Sequence, residues 1–208
     1  MNSFEEEINK TFLNLKIPFV DYGITSSGSI SLEGIFRNPR FQSLSQSKNS
    51  LFRMASMTKP ITAYLALAIL EDNGIDLHDD VGKYVPEIDD LEIAYKEGNV
   101  IKYQKNNVPI SFHHLLNFTS GHAYEHHDPI ISELLSKKEI APMKIGDDSF
   151  LQAPLVFAPG SRWGYGISYG WLGKAIEAIS GVGLDENLKK YLCQPLGLKE
   201  TSFNPVSY

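Results

Sequence analysis

The chain has one cysteine, no excess of positive charge and no long apolar run, and each of these absences excludes a class of protein. Cys193 alone rules out an internal disulfide framework and a multi-cysteine zinc module. The formal net charge of −6 argues against nucleic acid or an anionic membrane as the main partner. The longest uncharged apolar run, residues 61–70, is too short to span a bilayer. Because the opening residues MNSFEEEINK also lack the apolar core of a secretory signal, we expect a cytoplasmic globular protein.

The first fifty residues predict one helix and one β-hairpin. Ser3 and Glu6 fit a capping box at the start of an amphipathic helix over residues 3–15. Two strand candidates follow at 18–24 and 29–36, separated by a short Ser-Gly turn.

The remaining residues are predominantly helical in pattern. The apolar run 61–70 predicts a helix that is buried on every side and ends at Gly74. Residues 93–109 are polar and are predicted to form an irregular excursion. Further helices are predicted from a Ser111 cap to Leu116, over 172–179 and over 184–192.

Ser56 and Lys59 form an S-x-x-K motif at the start of the apolar helix. Pro60 is tolerated only in the first helical turn, so the helix must begin close to Ser56. Ser56 then lies beside backbone N–H groups suited to a developing oxyanion, and Lys59 projects from the same face. A base here needs the pKa of Lys59 lowered from about 10.4 to roughly 7–8. The alternative is an N-cap serine beside a solvated lysine.

Two other serine motifs carry less weight. A second S-x-x-K match at Ser45 lies in a polar, serine-rich loop predicted over 42–50, where nothing would desolvate a lysine. Ser168 stands in a G-x-S-x-G sequence, which as a nucleophile elbow needs a preceding strand and a later histidine. Since all six histidines precede Ser168, we interpret this match as coincidental.

One segment is rich in histidine and is a candidate metal site. His122 and His126 are four residues apart, which on a helix would place both imidazoles on one face. Gly121 and Pro129 bracket the segment and argue against a helix of useful length, so we expect loop histidines, no metal and no cofactor.

Residues 52–60, FRMASMTKP, resemble the nucleophile segment of the serine β-lactamase-like superfamily. The similarity is greatest to class C β-lactamases and to the related family VIII carboxylesterases and transesterases, and the superfamily includes the penicillin-binding proteins. Four further similar segments follow in family order. They are residues 71–86, residues 115–121 (LLNFTSG, with Phe118 where the family usually has histidine), residues 159–165 (PGSRWGY) and residues 195–201.

The resemblance implies roles for three residues. Ser56 would be the acylated nucleophile, Lys59 its general base and Tyr165 a shared proton carrier. A buried structural aromatic is the alternative for Tyr165. Ile167 replaces the asparagine of the family's Tyr-x-Asn motif and cannot make a side-chain hydrogen bond, which favours ester over amide substrates.

The resemblance also implies an α+β, β-lactamase/transpeptidase-like fold, here with the C-terminal strands absent. No Lys-Thr-Gly or His-x-Gly motif follows Tyr165. We therefore expect a single, truncated β-lactamase-related domain over 1–208, with the helix and hairpin in 1–50 and the nucleophile helix and helical region in 51–208.

The expected function is that of a serine hydrolase acting through an acyl-enzyme on Ser56. Ester hydrolysis or transesterification is the expected reaction. The expected partner is a small-molecule ester or amide substrate, with neither nucleic acid nor membrane. The alternative is a catalytically inactive relative that binds a ligand or a partner, and a partner chain that completes the sheet is a further expectation.

Overall fold

The N-terminal part of the chain pairs one helix with one β-hairpin, as the sequence predicts. The computed structural model describes residues 3–41, 50–144 and 146–204. Helix α1 spans Ser3–Asn14 and is followed by antiparallel strands β1, Phe19–Ser26, and β2, Ser29–Arg37. The chain divides into two compact units, Met1–Arg53 and Met54–Tyr208, which are described separately below.

The hairpin in the first unit depends on a two-residue turn. Ser27 and Gly28 both have positive φ, 51° and 78°, which matches the twist of the flanking strands. The Phe12 ring of α1 lies 6.0 Å from that of Phe36 in β2, so the helix packs on the hairpin. The predicted cap by the Ser3 side chain and the serine motif at Ser45 lie outside the described residues.

Helix α2 forms the core of the second unit and spans Thr58–Asp72, with a short 3-10 turn, Ala55–Met57, before it. Its end at Gly74, where φ is 63°, confirms the predicted stop. The prediction that this helix is buried on every side is wrong, because Tyr64 is 49% exposed and Leu67 is 46% exposed. An uncharged run has no polar face to mark the side that meets solvent.

The prediction of an irregular segment over residues 93–109 is wrong. A second antiparallel hairpin occupies most of it, with β3 at Glu92–Glu97 and β4 at Val100–Lys105. Gly98, at φ 62°, opens the two-residue Gly-Asn turn between them. The exposed β4 carries the polar side chains that obscured the strand pattern, whereas β3 is tied to the core by a 2.7 Å hydrogen bond from Ala94 N to the Leu155 carbonyl.

Helix α5, Ser168–Ser180, packs directly against α2. The Ser111 cap is confirmed, since its Oγ accepts a hydrogen bond from His114 N at the start of α3. The predicted 184–192 helix is interrupted, because α6 ends at Leu188 and a π-helical turn, Lys189–Cys193, follows it. The helices are α3, Phe112–Leu116; α4, Pro129–Ser136; α5, Ser168–Ser180; α6, Leu184–Leu188; and α7, Gln194–Leu196.

The core lies between α2 and α5. Trp171, Leu172 and Ile176 of α5 are completely buried, and Trp171 Nε1 donates a 3.1 Å hydrogen bond to the Leu151 carbonyl. Four further 3-10 turns connect the elements, at Pro39–Phe41, Val81–Lys83, Pro86–Asp90 and Ser149–Gln152. None of the helices in the described ranges is long and apolar enough to cross a membrane.

The same leucine-to-alanine change at two positions of α2 tests this packing. Leu65 is fully buried, so Leu65→Ala should lower the free energy of unfolding by about 3 kcal/mol. Leu67→Ala, on the exposed face, should cost less than about 1 kcal/mol. Chemical denaturation of the two variants measures both values, and equal losses would contradict the described burial.

Candidate active site

The start of α2 brings Ser56 and Lys59 together. Ser56 lies in the 3-10 turn just before Thr58, and Pro60 occupies the first turn of the helix, which confirms the predicted start. Lys59 Nζ lies 3.3 Å from Ser56 Oγ. Ala55 has a φ of 46°, a left-handed conformation that costs a non-glycine residue about 1–2 kcal/mol. Such strain is concentrated at functional sites, and here it directly precedes the serine.

Tyr165 approaches the same lysine from a distant part of the sequence. Lys59 Nζ lies 4.9 Å from the centroid of the Tyr165 ring. The Lys59 ammonium and the Ser56 hydroxyl, as hydrogen-bond donors to the Tyr165 oxygen, lower the pKa of the phenol. The structure therefore brings all three residues of the sequence-predicted site together.

Tyr124 is a fourth member of the site that the sequence argument missed. Lys59 Nζ lies 5.6 Å from the centroid of its ring, and Tyr124 N donates a 3.1 Å hydrogen bond to the Tyr165 carbonyl. The one signal in the sequence for Tyr124 is its position, three residues after Gly121 at the end of the family-like LLNFTSG segment. Nothing local distinguishes it from the other tyrosines of the chain.

The electrostatics of Lys59 differ from the expectation. Burial lowers the pKa of its ammonium, but hydrogen bonds and charge interactions with Tyr165 and Tyr124 outweigh burial, and the net shift is upward. The expected lowering of the Lys59 pKa is therefore wrong. Lys59 remains a cation, and the group whose pKa falls is the Tyr165 phenol.

Two glycines allow the Tyr165 segment to lie against its neighbour. A Cβ added at Gly166 would stand 2.5 Å from Ala123 N, and one at Gly164 would stand 2.6 Å from the Phe157 ring. Any side chain at either position would push the segment away. The Gly-Tyr-Gly sequence is thus a requirement of close backbone packing.

Aromatic rings surround the Tyr165 phenol. The Phe118 ring lies 5.1 Å from that of Tyr165, between centroids, and Phe118 itself has a φ of 62°. Trp163 stacks on Tyr165 at 6.3 Å, and the His127 ring meets it edge-on at 5.7 Å. Ile167 turns into the core and is 8% exposed, so it offers the site no polar group.

The residues of the candidate metal site lie in different environments. His122 is buried, His126 is exposed, and Asp128 Oδ1 accepts a hydrogen bond from Ile130 N as the cap of α4. In the part of the chain that the structure describes, no group of three or more His, Cys, Asp or Glu side chains could hold a metal ion.

Ser168 is fully buried at the start of α5, with its Oγ 2.9 Å from Ser120 Oγ. Ser120 Oγ lies in turn 2.9 Å from His122 Nδ1. Burial lowers the pKa of His122 to about 3. A serine this deep is closed to a substrate, in contrast to the exposed Ser56.

Residues 39–208 match the β-lactamase family. The chain is 34% identical over 155 residues to ML-236A carboxylate methylbutanoyltransferase of Penicillium citrinum, covering 73% of this chain and 37% of that protein. It is 29% identical over 167 residues to lovastatin esterase of Penicillium rubens, covering 78% and 42%. Simvastatin synthase of Aspergillus terreus has a similar structure, with a TM-score of 0.79, 26% identity, and coverage of 96% and 53%. The chain thus spans about half the length of these relatives or less.

The buried His122 makes stability depend on pH. An unfolded histidine binds a proton below about pH 6.5, whereas the folded one resists protonation until about pH 3, so stability is fully present above 6.5 and is lost as the pH falls through this window. Between pH 6.5 and 5, the free energy of unfolding should fall by about 2 kcal/mol more in the wild type than in His122→Leu.

Denaturant titrations at several pH values measure this difference. The pKa of the half-buried His114 is also lowered by burial, but its contribution to the pH dependence is the same in both proteins and cancels in the comparison. His126→Leu, which keeps His122, is the matched control and should retain the wild-type slope. Equal slopes for the wild type and His122→Leu would refute the buried neutral imidazole.

Proposed function

The chain belongs to the β-lactamase family, and on this premise we propose that it transfers acyl groups through a covalent ester on Ser56. The donor is an ester of a small molecule, and the acceptor is water or an alcohol. The observation that carries the proposal is the 3.3 Å contact between Lys59 Nζ and Ser56 Oγ, beside the Tyr165 phenol whose pKa both groups lower.

In the proposed mechanism, Tyr165 is the base and Lys59 the cation that stabilises its phenolate. The phenolate takes the proton of Ser56 Oγ while Oγ attacks the ester carbonyl. The tetrahedral oxyanion collapses, the bond to the leaving alkoxide breaks, and Tyr165 returns the proton to that oxygen. Water or an alcohol then releases the acyl group by the same steps in reverse. This assignment moves the base from Lys59 to Tyr165, because the pKa of Lys59 is raised and that of Tyr165 is lowered.

The position of Ser56 supports the first step. The residue lies at the N-terminal end of α2, where the helix dipole stabilises negative charge on a tetrahedral intermediate. The exposed serine is accessible, and the half-buried Lys59 holds its ammonium within reach of both oxygens.

The choice of an ester donor has two supports. The relatives from Penicillium are named for methylbutanoyl transfer and for an esterase. Ile167, apolar and buried, offers no hydrogen bond with which to recognise an amide. Cytoplasmic location and a partner chain that completes the sheet stay predictions.

Covalent labelling of Ser56 tests the nucleophile. Intact mass spectrometry of the chain after exposure to a fluorophosphonate ester should give one adduct, and peptide mapping should locate it on Ser56. Ser56→Ala should abolish the adduct, because it removes the proposed nucleophilic oxygen, which lies 3.3 Å from Lys59 Nζ. Ser45→Ala, in the rival S-x-x-K sequence, is the control that should label as the wild type does.

Two results would count against the proposal. An adduct that persists in Ser56→Ala would remove the assigned nucleophile. A folded chain that takes up no label would favour the alternative, a catalytically inactive relative that binds a ligand or partner.

A matched pair of tyrosine variants tests the base. Tyr165→Phe should slow labelling by about 10²- to 10⁴-fold and abolish the rise of the rate with pH, because the proton acceptor is lost. Tyr169→Phe removes a hydroxyl that donates to the Leu116 carbonyl at 3.1 Å, so it should cost about 1 kcal/mol of stability and leave the labelling rate near wild type. Equal labelling rates in the two variants, measured by time-resolved mass spectrometry, would exclude Tyr165 as the base.

A further inference from the structure

Three buried polar side chains lie behind the active site and take no part in the proposed acyl transfer. Ser120 and Ser168 are completely buried and His122 is 1% exposed. Their polar atoms form a chain, with 2.9 Å between His122 Nδ1 and Ser120 Oγ and 2.9 Å between Ser120 Oγ and Ser168 Oγ. We call these three residues the buried network.

The buried network joins the two segments that hold the tyrosines of the site. Ser120 and His122 belong to the segment that leads into Tyr124, and Ser168 follows Tyr165 by three residues at the start of α5. The backbones of the two segments are in close contact, since a Cβ at Gly166 would lie 2.6 Å from the His122 carbonyl carbon. A hydrogen bond from Tyr124 N to the Tyr165 carbonyl adds a second connection.

Stability alone does not account for a histidine at this position. His122 Nε2 is buried and has no hydrogen-bond partner among the described residues. An unpaired buried nitrogen destabilises the folded chain, and burial of the imidazole makes the chain sensitive to acid. An apolar side chain of similar size would fill the space without either cost. The hydrogen bond between Nδ1 and Ser120 Oγ is what such a side chain could not supply.

We propose that His122 is a positioning residue for Tyr165, and that it acts through Ser120 and Ser168. The buried network fixes the start of α5 against the segment that carries Tyr124. Both phenols are thereby held on the Lys59 ammonium. The catalytic consequence rests on the proposed function, whereas the positioning itself does not.

The titration of Tyr165 reports its position directly. The phenol has a lowered pKa only while it stays bonded to Lys59 and Ser56, and the other titratable groups that face it are Tyr124, His127 and Tyr169. NMR of the full chain with ¹³C-ζ-labelled tyrosine follows this titration, and Tyr165→Phe identifies its resonance. In His122→Leu, the pKa of Tyr165 should rise toward the ordinary value of 10.

Two amides at position 122 separate the roles of the two ring nitrogens. Asparagine places its amide near the position of Nδ1, and glutamine places its amide near that of Nε2. His122→Asn should keep the Tyr165 titration at its wild-type position, whereas His122→Gln should behave as His122→Leu does. Ser168→Ala, which removes the far end of the network, should move the titration in the same direction as His122→Leu.

Stability and labelling complete the test. At pH 7, His122→Leu should be at least as stable as the wild type, yet should label Ser56 about tenfold more slowly and need a higher pH to do so. A merely structural histidine would instead lose stability and leave the Tyr165 titration unchanged. If His122→Leu does not fold, the asparagine, glutamine and Ser168→Ala variants decide.

The inference is overturned if Tyr165 titrates at the wild-type position in both His122→Leu and Ser168→Ala, or if glutamine rescues and asparagine does not. Failure of the proposed function gives a different result. In that case the wild type takes up no label, while the Tyr165 titration still responds to the variants at position 122.

Discussion

The Lys59 ammonium determines what the rest of the site must provide. Removing a cation from water is costly unless oxygen atoms nearby replace the lost solvation. Here the phenols of Tyr165 and Tyr124 and the hydroxyl of Ser56 provide those oxygens. The same contacts lower the pKa of Tyr165, so the solvation of one residue and the activation of the other are a single interaction. A change that moves either tyrosine away leaves the lysine less well solvated, and displacement of Tyr165 would also remove the proposed base.

Holding that interaction together requires two distant segments to meet closely. α2 fixes Ser56 and Lys59 through its packing on α5, and α5 begins only three residues after Tyr165. Gly164 and Gly166 lie directly against the His122–Ala123 backbone, and this close contact positions Tyr165 between them. The Phe118 and Tyr124 rings lie against the Tyr165 ring at tilted and edge-on angles, which reduces competition from water and strengthens the attraction between ammonium and phenol. Tyr165 and Tyr124 lie outside the helices and strands, so their placement depends on these backbone contacts and on the packing of α5.

Sequence reasoning located the site where its signals are local. The spacing of Ser56, Lys59 and Pro60 fixed the helix start and the serine–lysine contact because all three lie within two helical turns. Tyr165 entered only through resemblance to a known family, since no local pattern connects it to Lys59. The hairpin at Glu92–Glu97 and Val100–Lys105 was missed although its Gly-Asn turn is a recognised hairpin signal, because polar residues on the exposed strand concealed the alternation.

The direction of the Lys59 pKa marks the limit of that reasoning. Burial and a helix N-terminus are visible in the sequence, and both argue for a lowered value. The phenols that reverse the outcome come from a segment that reaches the lysine only in the folded chain. Because a cation held by phenols is a poor base, this arrangement supports the proposal that the proton of Ser56 passes to Tyr165. The role of the S-x-x-K lysine is thus set by its tertiary neighbours, and the same four residues beside different neighbours would favour a different base.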